Sequence, residues 1–280
     1  MEAQEWVNHL EVTRRARHKG KAVTDESEDV PAIGAETVGA AVHLMSQLFG
    51  MAMKETPPIV MANPFVGLEL PVIRPHEIDF LEHDKAETLY TAAAEIGPRW
   101  RTLIELGTEV GLRPGELYGL HGHRVDWLRG KIQVIDVMTR AGLRRWPKSK
   151  KSHRVVPIPA HIMEGMSALM AGRPRDALVF TAPEGGPVDD GNFRDRVWYP
   201  AVQAAGIRRF PPRIMRHTAA SWLVIDGVPL YDVQALLGHE SYRTTERYAH
   251  LAPDAHDKVV QSWARRRDAS VTHQLGKGRT

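Results

Sequence analysis

Between Arg213 and Leu251, helical periodicity and a single glycine leave the chain few options. Ile214, Thr218, Trp222 and Ile225 recur at helical spacing, so a helix is expected to begin near Arg213. Arg213 and Arg216 stand three apart on it and leave the same side. Gly238, which follows Leu236-Leu237, can end a helix and release the chain at a sharp angle, which fixes the direction of His239. Tyr248 lies beyond it in a short helical pattern. Folded together, these side chains converge on one point.

Their chemistry agrees on what that point binds. Arginine presents a planar fork of donors that matches phosphate oxygens and stays charged at any working pH. A phenol is a competent nucleophile toward phosphorus when cations lower the cost of its ionised form. Singly, each of these residues is more often a solvated or packing group. The joint arrangement carries the inference.

Charge distribution points the same way. The net charge is only +3, yet seven Lys or Arg and no acid lie between Asp136 and Glu164, and no acid lies between Asp195 and Asp226. Local basic surfaces of this kind suit a polyanion. The absence of cysteine excludes disulfides and thiolate metal sites. No run of 18 apolar residues and no charged-then-apolar leader is present, so no membrane association is expected and a cytoplasmic location is.

Residues 1–35 are polar, with a basic cluster from Arg14 to Lys21 and an acidic run from Asp25 to Asp29; a loosely ordered segment is expected, with only Trp6, Val7 and Leu10 to pack. From Glu36, the positions Val38, Ala41, Val42, Met45, Leu48 and Ala52 mark one face of a five-turn helix that ends before Pro57-Pro58. Prolines at 64, 71 and 75 punctuate an extended connector, and a domain boundary is placed there. Residues 84–110 predict two helices parted by Gly97-Pro98. Pro114 and Glu116 then make a good helix start that puts Arg113 at its mouth, where an anion docks. Strands at Val125–Leu128, Lys131–Met138 and Arg154–Ile158 predict a small antiparallel sheet, with a basic hairpin tip Lys148-Ser149-Lys150-Lys151 before the third. A helix at 160–172, a strand near 178–181 and a helix at 189–205 read as scaffold.

Five stretches now stand in order: Gly111 to Leu117, the lysine hairpin before Val155-Val156-Pro157-Ile158-Pro159, Arg216-His217-Thr218-Ala219-Ala220-Ser221, Leu236-Leu237-Gly238-His239, and Thr244 to Leu251. Together they resemble the boxes of the tyrosine recombinases, the phage-integrase family, over residues 75–265. Helix 36–56 with Asn63-Pro64 looks like the end of that family's helical core-binding domain, its front half shortened. The resemblance implies a mainly α (α+β) fold: residues 1–74 as a partial core-binding region and linker, residues 75–267 as a helical catalytic domain with a three-stranded antiparallel sheet, and residues 268–280 as a tail that docks on a neighbour.

The same resemblance implies a chemistry. Tyr248 would attack the scissile phosphate of double-stranded DNA to form a 3′-phosphotyrosyl bond, with no metal, cofactor or ATP. Arg113 and Arg216 would hold the non-bridging oxygens, His239 would add a donor, and a hairpin lysine, Lys148 before Lys150, would protonate the departing 5′-oxygen. Glu116 looks like the structural acid of the family. Partners implied are DNA, a homotetramer at synapsis, and accessory directionality or DNA-bending proteins. One position departs from the pattern: Arg213 stands where the family most often has histidine. Arginine has no acceptor and cannot take the tyrosine proton, so altered or slower cleavage is expected, with Arg213 bracing the phosphate. The alternative is an integrase-like DNA-binding protein that has lost turnover. A metal-dependent nuclease, prompted by 14 histidines including His121 and His123, is disfavoured because no clustered carboxylates accompany them.

Overall fold

In the computed structural model, residues 2–12, 34–72, 78–145, 153–253, 260 and 263 are described. The chain packs as two units, Met1–Glu77 and Ile78–Thr280. Residues 73–77, where the sequence places the end of the connector, the hairpin tip 146–152 and the tail 268–280 lie outside the described residues.

In the first unit, helix α1 (Ala3–Val12) packs with α2 (Ala35–Ala52) around Val7, Val38 and Val42, all buried. Loose order was expected for residues 1–35, and for residues 3–12 the structure corrects it. Trp6, Val7 and Leu10 recur at helical spacing, and Trp6 meets Phe65 edge-on at 5.6 Å, so an amphipathic helix gains a core to lie on. The expected stripe on α2 is buried only at its start, since Leu48 remains 50% exposed. Asn63 closes the unit by donating from Nδ2 to Ser46 O at 2.9 Å.

The second unit begins with α3 (His83–Ile96) and α4 (Pro98–Glu105), which turn at Gly97-Pro98 because proline at a first helical position needs no donor. A π-helical turn, Leu106–Val110, extends α4 to Gly111, whose φ of 76° ends it. Helix α5 (Pro114–Tyr118) follows. Strands β1 (Val125–Asp126) and β2 (Lys131–Val134) pair antiparallel, with Val125 opposite Ile132. The strand expected over 131–138 divides. Asp136 turns inward to accept from Arg124 Nε at 2.9 Å, and a buried carboxylate must reach its cation even at the expense of the ladder. Beyond that break, β3 (Val137–Thr139) and β4 (Gly142–Arg144) form a separate hairpin. Strand β5 (Arg154–Pro157) returns to β2 with Val156 opposite Ile132, which completes a three-stranded sheet in the order β1-β2-β5.

Helix α6 (Ala160–Met170) covers the core through Ile162 and Met166. The strand expected near 178–181 is a single bridge, Leu178 to His121. The helix expected over 189–205 forms in three joined pieces: α7 (Asp190–Phe193), a π-helical turn Arg194–Trp198, and α8 (Tyr199–Ala204). Asp189 caps it, accepting from Asn192 N–H at 2.8 Å. Trp198, Phe193 and Phe180 are fully buried beside Leu89, Leu103 and Ile132. Each such side chain contributes ~1.5–3 kcal/mol by leaving water.

The remaining helices are α9 (Ile214–Ile225), α10 (Leu230–Leu237) and α11 (Tyr242–Glu246), followed by a 3-10 turn at Ala249–Leu251. They enclose a second, smaller core of Ala220, Val224, Val233, Leu237 and Tyr248. Among the described residues, no helix is long and apolar enough to cross a membrane.

Candidate active site

The site is assembled on the carboxyl end of α10. Gly238, at φ 68° and ψ 46°, closes the helix: its N–H donates to Ala235 O at 3.2 Å and that of His239 to Gln234 O at 3.1 Å. This pair of reversed bonds leaves the last carbonyls without partners in the helix. Three arginines from three different elements take them in succession. Arg154 Nε donates to Leu236 O at 2.7 Å, Arg216 Nη2 to Leu237 O at 2.7 Å, and Arg113 Nη2 to Gly238 O at 3.1 Å. The negative end of the helix dipole thereby gathers three cations side by side.

Glu116 holds two of them. Its carboxylate accepts from Arg154 Nη1 at 3.0 Å and Nη2 at 2.8 Å, from Arg113 Nη1 at 2.9 Å and from the Arg113 backbone N–H at 2.9 Å. Burial alone would raise its pKa; the hydrogen bonds and charges of Arg154 and Arg113 outweigh burial and bring it down to about 2. Arg154 is nearly covered, whereas the Arg113 side chain keeps 40% of its surface open. Arg113, at the N-cap of α5, can therefore still offer donors to an incoming anion.

Helix α9 is fixed at both faces. Thr218 Oγ1 accepts from Leu81 N–H at 3.0 Å, and Trp222 Nε1 donates to Leu81 O at 2.8 Å. Arg216 Nη1 donates to Gly111 O at 2.8 Å across the facing turn. Burial, then the positive charge of Arg113, lowers the Arg216 pKa to about 9, so the guanidinium stays cationic at neutral pH. The next residue, His217, meets the tyrosine: Nδ1 lies 2.7 Å from Tyr248 Oη. The Tyr248 ring packs in the small core, 3% exposed. Burial raises the phenol pKa, against the pull of Arg216 and Arg247. Burial, followed by the charges of Arg213, Arg247 and Arg216, brings His217 down to about 4, so it is neutral at pH 7.

His239 is also neutral, its pKa lowered to about 3 by burial and then by Arg216, Arg113 and Arg154. Its Nδ1 lies 2.8 Å from Thr245 Oγ1, which is fully buried. When the hydroxyl donates to Nδ1, the hydrogen sits on Nε2, at the other side of the ring.

Of the residues singled out in the sequence, the structure brings Arg113, Arg216, His239, Tyr248 and Glu116 into this one cluster. Arg213 is at its edge, exposed at the N-cap of α9, and its side chain makes no hydrogen bond among the described residues. Lys148 and Lys150 lie outside the described residues. Sequence reasoning missed Arg154, His217, Thr245 and Arg247. Arg154 was legible only as a strand residue, and nothing in spacing ties it to Glu116. His217 sat inside a quoted box, and its i+1 relation to Arg216 gave no sign that it reaches Tyr248. His121 and His123 enter none of these contacts, and His121 Nδ1 donates instead to Gly119 O at 2.8 Å.

A helical domain with a small antiparallel sheet, carrying a tyrosine within a guanidinium cluster, has the architecture of tyrosine recombinase catalytic domains. The integrase of transposon Tn1549, solved in complex with transposon right end DNA, superposes with a TM-score of 0.72 at 18% identity, over 94% of this chain and 84% of that one. The phage integrase family model matches residues 79–255. Tyrosine recombinase XerC of Bacillus pumilus is 27% identical over 232 residues, 81% of this chain and 74% of the relative. Tyrosine recombinase XerD of Ralstonia nicotianae is 30% identical over 259 residues, 84% and 78% of the two chains. The chain belongs to the phage integrase family, as its five boxes led one to expect, and is by class a tyrosine-type site-specific recombinase.

Proposed function

We propose that this chain cuts and rejoins duplex DNA through a 3′-phosphotyrosyl bond, with Tyr248 as nucleophile and Arg113 and Arg216 as the clamp on the non-bridging oxygens. The observation that carries this is a buried tyrosine hydroxyl 2.7 Å from Nδ1 of His217, the neighbour of Arg216, whose guanidinium joins those of Arg113 and Arg154 on the last carbonyls of α10. Fixed cations pointed at developing phosphorane charge are the largest source of acceleration in such a transfer. His239, with Thr245 on Nδ1, directs Nε2–H at the same oxygens. Glu116 and Arg154 set the Arg113 fork, while Arg213 and Arg247 add positive potential at the rim.

By resemblance, a lysine that precedes β5 in the sequence, Lys148 ahead of Lys150, protonates the departing 5′-oxygen. The same resemblance supports four protomers on two duplexes, accessory directionality or bending proteins, a cytoplasmic setting, and residues 1–74 as a core-binding region and linker before the catalytic domain at 75–267.

A nicked suicide substrate tests the chemistry. Denaturing gels should show a protein–DNA adduct that forms in the presence of chelator and disappears in Tyr248→Phe. Tight DNA binding without any adduct from the parent protein would favour instead a DNA-binding relative without turnover, the reading to which the exposed Arg213 gives its support.

A further inference from the structure

We propose that His217 is the proton acceptor for the Tyr248 hydroxyl, so that the basic function absent from position 213 is supplied from one residue beyond Arg216. The inference rests on the phosphotyrosyl reading above. Its starting point is geometry: Nδ1 is 2.7 Å from Oη, within the span that direct proton transfer needs. Arg213 cannot serve, because a guanidinium has no lone pair to offer. His239 is engaged elsewhere, with its Nδ1 on Thr245.

The step balances as follows. The Oη–P bond forms as the phenolic proton passes to Nδ1, which leaves an imidazolium; the P–O5′ bond breaks, and the 5′-oxygen takes a proton from an ammonium group of the lysine class. Religation runs the same transfers backwards and returns the proton to Tyr248.

The charges around His217 give the step its timing. Arg213 and Arg216 on its own helix and Arg247 beyond α11 hold the ring neutral and weakly basic, with Asp79, ahead of α3, as the opposing charge. A phosphodiester seated among these guanidiniums brings negative charge to the same place and makes the imidazole more basic. The base is thus strengthened by the substrate it serves, and free protein keeps its phenol protonated.

The test is single-turnover adduct formation by the full chain on two nicked substrates, one ordinary and one with sulfur at the bridging 5′ position, a leaving group that needs no proton. His217→Asn, which keeps a hydrogen-bonding atom near Nδ1 but cannot accept a proton, should bind DNA as the parent does and form adduct about 100- to 1000-fold more slowly on both substrates. The parent on the sulfur substrate should gain rate with rising pH through one inflection between about 4 and 6.5, the span between the free protein's ring and an unperturbed one. His217→Asn should lack that inflection.

A rate within about threefold of the parent on both substrates overturns the assignment. So does a defect cured by sulfur, which would place His217 on the leaving group, and so does a flat parent profile, which needs no variant to fold. Adduct formation by Tyr248→Phe would instead strike the underlying reading.

Discussion

The carboxylate of Glu116 accepts from both terminal nitrogens of the Arg154 guanidinium, at 3.0 and 2.8 Å, and the two come from α5 and β5, 38 residues apart. Through this pair the sheet is tied to the helix that presents Arg113. A buried acid with four donors leaves its arginines little freedom, and a clamp that does not reorganise stabilises charge most effectively.

Acid should loosen this tie. Glu116 titrates near 2 in the folded chain against an ordinary 4.5, so it contributes on the order of 3 kcal/mol of stability above pH 4.5, lost as pH falls from 4.5 through 2. In urea titrations, Glu116→Gln should be less stable at pH 7 by ~3 kcal/mol and should show a weaker pH dependence below 4.5. Equal slopes for parent and variant would remove Glu116 as the source.

Gly111 joins the π-helical turn to α5 at φ 76°, and a Cβ there would meet Leu237 Cδ2 and, at 2.9 Å, Ala219 Cβ. Gly111→Ala should therefore cost ~2–4 kcal/mol in thermal or denaturant unfolding. Since Gly111 O receives Arg216 and Leu237 O its other donor, adduct formation should fall further than DNA binding.

Thr245→Val removes the partner of His239 Nδ1 and buries a polar nitrogen without compensation, for a loss of ~1–3 kcal/mol. The pKa of His239 is depressed to about 3, so the unfolded chain binds the proton first, and stability falls as pH drops from about 6.5 through 3. His239→Phe should flatten that part of the unfolding curve, and nuclear magnetic resonance of the ring should find it neutral at pH 6.

Arg213→His places a lone pair at the position the family most often fills with histidine. With His217 already on Tyr248, a second base adds nothing, while the lost Arg213 charge removes positive potential at the rim, so the single-turnover rate should not rise above the parent's. A gain of tenfold or more would show that position 213 limits cleavage.

Much of this was legible before any coordinates. Helical spacing located α9, the glycine before His239 fixed the end of α10, and Pro114 with Glu116 placed Arg113 at the start of α5, because capping, periodicity and left-handed turns are local properties of the backbone. The break of the strand at Asp136 was not legible, since it depends on a buried partner twelve residues back. Nor was the order of the guanidiniums. Which carbonyl each arginine reaches, and the pairing of His217 rather than Arg213 with Tyr248, follow from how α9, α10 and β5 pack around one small core. Sequence alone thus determined most of the helices and five residues of the cluster, Arg113, Glu116, Arg216, His239 and Tyr248; the tertiary structure added Arg154, His217, Thr245 and Arg247 and decided which atom meets which, because hydrogen-bond partners far apart in the chain are chosen by packing.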